Sequence, residues 1–303
     1  MGKIKKALFL LFHHPIIFIE RLAGHIPWIL SDKLYVKLQY RAALGRYPDL
    51  DNPKTFTEKL QWLKLYDHNP FYTQVVDKIT AKEYIAKNLG EEYIIPTLFQ
   101  WDDPDQINFD ALPDKFVLKC NHTGGGAVFI CKDKVHFDFD VVKKKLKKQL
   151  RTNTFLKTRE WPYKNIKRKV FCEQYMEDNS GELRDYKFYC FGGTPFVLLV
   201  ASNRFTKHNF NYFDLDFNPV DIHSAVGATS SEKMIKPANF ETMKDIVVKL
   251  CQGFPHVRVD LYNINGHIYF GELTLYDASG FDDMGSDKWN RIFGDKIHLP
   301  NKC

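Results

Sequence analysis

The chain has 303 residues, of which 44% are hydrophobic and 15% aromatic, so it can bury a substantial core and is too apolar to be disordered. Its formal net charge of +6 suits an anionic partner, but Lys and Arg are spread along the chain, which argues against a nucleic-acid-binding protein. The 6 cysteines form no C-x-x-C pair, so we expect reduced, buried thiols and a cytoplasmic protein.

The N-terminal region, residues 1–50, is predicted to be helical and amphipathic. A basic start and an apolar run precede Pro15, and a second short apolar run meets charged residues at once, so neither run is long enough to cross a bilayer. Basic residues beside Leu and Phe also fit a helix lying on an anionic membrane surface. The sequence leaves open whether this segment contacts the inner face of the membrane or packs on the protein.

Helical spacing then continues from residue 34 to a stop at Gly45. A second helix follows, capped by Thr55 or Thr57. Further on, Lys78 stands at the entry to another helix, where free N–H groups and the helix dipole favour an anion. The segment 93–98 is predicted to be extended.

Two short apolar strands flank a glycine-rich turn between residues 116 and 131. Lys119 interrupts the first strand, and three consecutive glycines, 124–126, would let the backbone approach phosphate oxygens closely. Neither a P-loop nor a dinucleotide fingerprint is present. The turn is therefore either a phosphate-binding loop or a flexible hairpin tip.

The segment 170–176 is predicted to be a strand that ends in Glu173 and aromatic residues, and the next strand carries Asp185 and Lys187 on one face. An acid and a base two residues apart either neutralise each other or bind a ribose and a phosphate. The basic helix 141–150 between the two regions is predicted to be a solvated surface helix, with a polyanion-binding role as the alternative.

A hairpin near the C-terminus contains acidic residues in an otherwise apolar pattern. If it turns at Asn265 and Gly266, Asp260 lies opposite the segment from Glu272 to Thr274. Carboxylate oxygens are ligands for hard cations such as Mg²⁺. The alternative is a solvated hairpin face with scattered charges.

The order of these parts resembles the ATP-grasp superfamily, whose last elements are Arg-x-Asp and Glu-x-Asn. Arg258, Asp260, Glu272 and Thr274 match those positions in turn, with Thr in place of Asn. The closer resemblance is to the TupA-like ATP-grasp family of bacterial surface-polysaccharide biosynthesis. It runs from about residue 33 to about residue 300, and the segments that carry it are 55–64, 77–78, 185–188, 269–274 and 279–281.

This resemblance implies an α+β fold of the ATP-grasp type, in which two α+β subdomains with mainly antiparallel sheets clasp ATP. It divides the rest of the chain into a helical and extended region, 51–115, a subdomain with the glycine-rich lid and adenine hinge, 116–192, and a subdomain with the metal-binding hairpin, 193–303. Helices replace the N-terminal domain that many ATP-grasp ligases use for substrate.

By position, the resemblance also implies the residues of an ATP and Mg²⁺ site. The cofactor-binding residues would be Lys78 and Lys119 on the phosphates, Gly124, Gly125 and Gly126 in the lid, Glu173, Gln174, Tyr175 and Met176 on adenine, and Asp185 and Lys187 near the ribose. The metal ligands would be Asp260, Glu272 and Thr274, and the catalytic residues Arg258 and Lys119.

The activity so implied is that of an ATP-dependent carboxylate–amine ligase acting through an acyl phosphate. Its partners would be a glycan or lipid-linked glycan acceptor and a small amine or carboxylate, and Arg204, Lys207 and His208 are candidate acceptor contacts. A glycosyltransferase using Asp214 and Asp216, or a glycan kinase that uses the same ATP site, remains open.

Overall fold

The computed structural model describes residues 11–15, 30–123, 128–179, 183–202, 209–223 and 234–302. The predicted lid glycines Gly124, Gly125 and Gly126, the candidate acceptor contacts Arg204, Lys207 and His208, and most of the N-terminal region lie outside these residues. Within the described ranges, no helix is both long and apolar enough to cross a membrane.

Helices precede, connect and cover two β-sheets. In chain order, the α-helices are α1 (Asp32–Leu44), α2 (Phe56–Tyr66), α3 (Phe71–Val76), α4 (Thr80–Asn88), α5 (Phe139–Leu150), α6 (Thr154–Thr158), α7 (Phe240–Leu250) and α8 (Asp287–Lys296). Short 3₁₀ turns include Glu91–Tyr93, Trp161–Tyr163 and Asp277–Gly280.

The sequence signals at the helix ends are confirmed in α1 and α2. Helix α1 stops at Gly45, whose φ of 73° is left-handed and suits a residue without a Cβ. Helix α2 is capped by Thr55, which forms a capping box with Glu58. The segment 93–98 agrees with its prediction in part: Tyr93 ends a 3₁₀ turn, Ile94 is extended, and a strand begins at Thr97.

The first sheet has four antiparallel strands in the order β1-β4-β2-β3. These strands are β1 (Thr97–Trp101), β2 (Phe116–Cys120), β3 (Val128–Cys131) and β4 (Val170–Gln174). Helix α5 covers this sheet through buried Val142 and Leu146, which accounts for the apolar positions in its basic sequence.

The second sheet has five antiparallel strands in the order β7-β6-β5-β8-β9. They are β5 (Asp185–Phe191), β6 (Thr194–Ser202), β7 (Asn209–Phe213), β8 (His256–Ile264) and β9 (His267–Thr274). The predicted boundary at residue 192 falls between β5 and β6, which pair in one sheet because Gly192 and Gly193, both at positive φ, join them as a hairpin.

The β8–β9 hairpin has the predicted turn and register. Asn265 and Gly266 have φ values of 53° and 86°, as a tight hairpin turn requires, and Asp260 is the direct register partner of Glu272. Because β8 is covered on both faces, the side chain of Asp260 is almost fully buried. A solvated hairpin face is therefore excluded for this carboxylate.

Candidate active site

A cavity lies between the two sheets, and both sheets supply its lining. The predicted site residues that line it are Lys78, Lys119, Glu173, Gln174, Tyr175, Met176, Asp185, Lys187, Asp260 and Glu272. The structure brings these ten residues together around one space, although they come from widely separated segments of the chain; their roles toward a nucleotide stay predictions.

On the first sheet, Glu173 is held between two lysines. Lys82 Nζ lies 2.5 Å from Glu173 Oε1, and Lys119 Nζ contacts Oε2. Burial raises the pKa of Glu173, but the charges of Lys119 and Lys82 outweigh it and lower the pKa to about 2. Glu173 is therefore an ionised acceptor at the cavity wall, suited to a ligand that donates hydrogen bonds.

Lys82 is a site residue that the sequence prediction missed. Its ammonium group also donates hydrogen bonds to Ile95 O at 2.7 Å and Thr97 Oγ1 at 2.8 Å, so α4 is fixed against the start of β1. In the sequence, the one indication of its role is its position four residues after Lys78. That spacing alone does not show which carboxylate Lys82 contacts.

Glu272 on the second sheet forms an ion pair with Lys78, which lies between α3 and α4, with 2.7 Å between Nζ and Oε2. The charge of Lys78 lowers the pKa of Glu272 well below its usual value, against the opposing effect of burial. Asn121 fixes this part of the chain, because its carbonyl accepts from Lys78 N and its side chain donates to Asp77 Oδ2. Lys78 is thereby anchored at the cavity.

Lys187 contacts Asp260 and lies 3.3 Å from Asp185 Oδ2. Burial lowers the pKa of Lys187, but the charges of Asp185 and Asp260 outweigh it and raise the pKa. The acid and base on β5 therefore pair with each other, as one alternative predicted, and both also line the cavity; binding of a ribose and a phosphate stays a prediction.

Arg258 lies beneath the hairpin carboxylates and connects them to the next turn. Its Nε and Nη2 donate to Asp260 at 2.7 and 2.8 Å, and Nη2 also reaches Thr274 Oγ1 at 3.2 Å. Its Nη1 contacts Asp277, a residue that the sequence prediction missed. The carboxylates of Asp260 and Asp277 outweigh burial and raise the pKa of Arg258, so it stays a fixed cation.

The hairpin residues fit a magnesium ion that shares ligands with a nucleotide. In the described part of the chain, no group of three or more His, Cys, Asp or Glu converges as a complete metal cage. Magnesium, however, commonly takes one or two carboxylates together with substrate phosphates and water. Asp260 and Glu272 supply two adjacent carboxylates, and Thr274 Oγ1 lies 3.1 Å from Glu272 Oε1. Lysine and arginine side chains pair with both carboxylates and neutralise them.

The Asp-x-Asp motif after β7 does not have the geometry of a metal site. Asp214 accepts hydrogen bonds from the backbone N–H groups of Asp216 and Asn218, at 2.9 and 2.8 Å, and from the Asn218 side chain. These contacts close a local turn. The motif that supported a glycosyltransferase is therefore accounted for by chain geometry.

Two antiparallel sheets enclose a cleft, and each sheet supplies lysines and carboxylates to one cavity. This arrangement defines an ATP-grasp type of nucleotide site. The chain belongs to the TupA-like ATP-grasp family, whose family model matches residues 58–298. The predictions of the family, of the α+β ATP-grasp fold and of an ATP-grasp enzyme are thereby confirmed. A search of curated proteins found no match.

Solved structures with a similar chain course include D-alanine–D-alanine ligase from Bacillus anthracis in complex with ATP, with 17% identity and a TM-score of 0.38 over 73% of this chain and 67% of that one. The ATP-grasp ligase PsnB with a minimal precursor shows 12% identity and a TM-score of 0.41, over 79% of this chain and 66% of that one. The D-alanine–D-alanine ligase from Helicobacter pylori shows 16% identity and a TM-score of 0.38, over 79% of this chain and 62% of that one. The chain thus spans about two thirds of the length of these proteins.

Proposed function

We propose that this chain is an ATP- and Mg²⁺-dependent carboxylate–amine ligase that modifies a bacterial surface polysaccharide, or its lipid-linked precursor, with an amino-acid or amine group. The observation that carries the proposal is the cavity between the sheets, where Lys78, Lys119, Glu173, Asp260 and Glu272 are brought together. Its acceptor would be met in the cytoplasm or at the inner face of the membrane.

The carboxylates that line the cavity come from both sheets, and this placement would orient the nucleotide. Glu173 at the first sheet is an ionised acceptor and suits the exocyclic amine of adenine. Asp185 begins β5 and suits the ribose hydroxyls. Asp260 and Glu272 belong to β8 and β9 of the second sheet, so the triphosphate would extend from the first sheet toward the hairpin.

In the first chemical step, the substrate carboxylate attacks the γ-phosphorus of ATP, the bond to the β-phosphate oxygen breaks, and ADP leaves. Lys78, which pairs with Glu272, would stabilise the negative charge that spreads over the transferred group, and Lys119, which pairs with Glu173, would hold the phosphates nearer the nucleoside. Asp260, Glu272 and Thr274 would hold Mg²⁺, which when bound neutralises phosphate charge. Arg258, kept cationic by Asp260 and Asp277, stabilises the anionic intermediate.

The experiment is a screen for ADP release by the purified full chain with ATP and Mg²⁺. Uronic acids, N-acetylmuramate and amino acids serve as carboxylates, and amino acids and ethanolamine as amines. We expect one pair to release ADP and to give a product that is one water lighter than its two substrates. Glu272→Gln should abolish this release, whereas the exposed control Glu241→Gln should retain it.

Two outcomes would overturn the proposal. A product that has gained a phosphoryl group instead of losing water would indicate a kinase. A melting temperature raised by nucleotide sugars and not by ATP with Mg²⁺ would indicate a glycosyltransferase, because a ligand of the native state stabilises it.

A further inference from the structure

A buried polar cluster beside the cavity has no role in the chemistry described so far. It consists of Lys64 at the end of α2, Glu160 before the turn Trp161–Tyr163, and Ser279 in the turn Asp277–Gly280. Ser279 Oγ donates to Glu160 Oε1 at 2.7 Å, and Lys64 Nζ donates to Ser279 Oγ at 2.9 Å and to Ser279 O at 2.6 Å. Lys64 and Glu160 are 1% and 9% exposed.

The backbone that presents Ser279 is strained. Ala278 and Ser279 have φ values of 44° and 55°, a left-handed conformation that costs free energy for residues other than glycine. Helix α2 holds the turn in this shape, since Gln61 Nε2 donates to Ser279 O and Gly280 O at 3.1 and 2.9 Å. Gln61 Oε1 is buried with no hydrogen-bond partner among the described residues.

The cluster is connected to the hairpin carboxylates through Asp277 and Arg258. Asp277, two residues before Ser279, contacts Arg258, and Arg258 contacts both hairpin carboxylates. The phenol of Tyr163 interacts with both groups: burial raises its pKa, and the charges of Glu160 and Glu272 raise it further. These contacts put Ser279 on the side of the site that holds the hairpin carboxylates.

The second half of a ligase reaction requires a proton acceptor. The amine nitrogen attacks the acyl carbon, the carbon–oxygen bond to phosphate breaks, phosphate leaves with the electron pair, and the nitrogen loses a proton. Asp260, Glu272 and Glu173 are each paired with two or more cationic groups and are poor acceptors. Glu160 has Ser279 Oγ as its direct side-chain donor.

We propose that Ser279 binds the primary amine of the nucleophilic substrate and transfers its proton to Glu160, while Lys64 holds the serine oxygen in place. This inference rests on the proposed ligase function. As the carbon–nitrogen bond forms, the amine proton moves to Ser279 Oγ and the serine proton moves to Glu160, so one proton leaves nitrogen and one reaches the carboxylate. Ser279 is half-buried and the neighbouring Ala278 is exposed, so an amine can approach from solvent.

The charges around Glu160 are suited to this role. Burial raises its pKa, and the nearby Lys64 ammonium group partly offsets that rise. The other titratable groups facing it are Tyr163 and Tyr276, whose phenols are held neutral because burial raises their pKa values. Raising the pKa of a carboxylate makes it a better proton acceptor at neutral pH.

The test separates the two halves of the reaction by using hydroxylamine in place of the amine. Hydroxylamine is unprotonated near neutral pH and captures an acyl phosphate without help from a base, giving a hydroxamate. The wild-type chain, Glu160→Gln and Ser279→Ala are incubated with ATP, Mg²⁺ and the carboxylates of the panel, with either hydroxylamine or the amines. Glu241→Gln is the matched control.

We expect hydroxamate formation by both variants to stay within about twofold of wild type, while amide formation falls about 10²- to 10⁴-fold, the usual contribution of general base catalysis. The rate of amide formation in wild type should fall as acid protonates Glu160, and Glu160→Gln should lack that part of the pH profile. Ser279→Ala keeps the test valid if Glu160→Gln does not fold.

Equal losses of hydroxamate and amide in the variants would overturn this inference and indicate a structural role for the cluster. Amide formation at the wild-type rate in both variants would also overturn it, with the ligase function intact. If the wild-type chain forms neither hydroxamate nor amide with any member of the panel, the ligase function itself fails, and the inference with it.

Discussion

Lys78 Nζ lies 2.7 Å from Glu272 Oε2, so the lysine predicted to hold phosphate is paired with the carboxylate predicted to hold metal. A magnesium ion would pair with Glu272 and a polyphosphate with Lys78, so two new ionic contacts would replace the one between these side chains. We therefore propose that this ion pair marks where the cation and anion of a metal–nucleotide complex would bind.

Glu272→Gln should weaken binding of ATP with Mg²⁺ about 10- to 100-fold, the value of one hydrogen bond or metal contact to a charged group. Binding of ATP in EDTA should be unchanged or tighter, because Lys78 loses its competing partner. Calorimetric titration of wild type and Glu272→Gln with and without metal measures the difference. If the affinity of Glu272→Gln for ATP depends on Mg²⁺ as strongly as that of wild type, this carboxylate does not hold the ion.

The stability of the chain should depend on the protonation of Glu173. Its pKa is about 2 in the folded state, compared with 4.5 for an unperturbed glutamate. A lowered pKa stabilises the folded state above pH 4.5, and this contribution is lost as the pH falls toward 2. The full contribution of the lowered Glu173 pKa to the free energy of unfolding is about 3 kcal/mol. Urea unfolding between pH 5 and 3 should show a shallower loss of stability in Glu173→Gln than in wild type.

Lys82 and Glu173 should be energetically coupled. Lys82→Met leaves one lysine on the buried carboxylate, and Glu173→Gln leaves two lysines without an acid, so each single change should destabilise the fold. The double variant should lose about 1 to 3 kcal/mol less free energy of unfolding than the sum of the losses in the two single variants. Chemical denaturation of all four proteins gives this coupling energy, and additive losses would show that the two side chains act independently.

Gly294 in α8 should not tolerate a side chain. A Cβ there would lie 2.3 Å from the backbone oxygen of Lys54, at the start of α2, where neither backbone can give way easily. Gly294→Ala should therefore destabilise the fold by about 1 to 3 kcal/mol. Thermal unfolding measures this, with the exposed Lys288→Ala in the same helix as the control. Equal melting temperatures would mean that the two helices can separate without loss.

Local rules predicted the features that neighbouring residues determine. The Asn265–Gly266 turn fixes the register of β8 and β9 as far as Leu261 opposite Phe270, and a shift of one residue between Leu261 and Asp260 then places Asp260 opposite Glu272. The contacts of Lys82 with Glu173 and of Asp277 with Arg258 join elements distant in sequence. They depend on how α4 and the turn after β9 pack, and spacing along the chain carries no information on that.

The short segment from Lys78 to Lys82 belongs to neither sheet, yet its first lysine contacts Glu272 in the second sheet and its last contacts Glu173 in the first. A polyanion that draws these lysines toward itself therefore competes with the two ion pairs that connect this segment to the sheets. Part of the intrinsic affinity for nucleotide would be offset by the loss of these ion pairs, so the occupancy of the site and the state of the pairs would be thermodynamically linked.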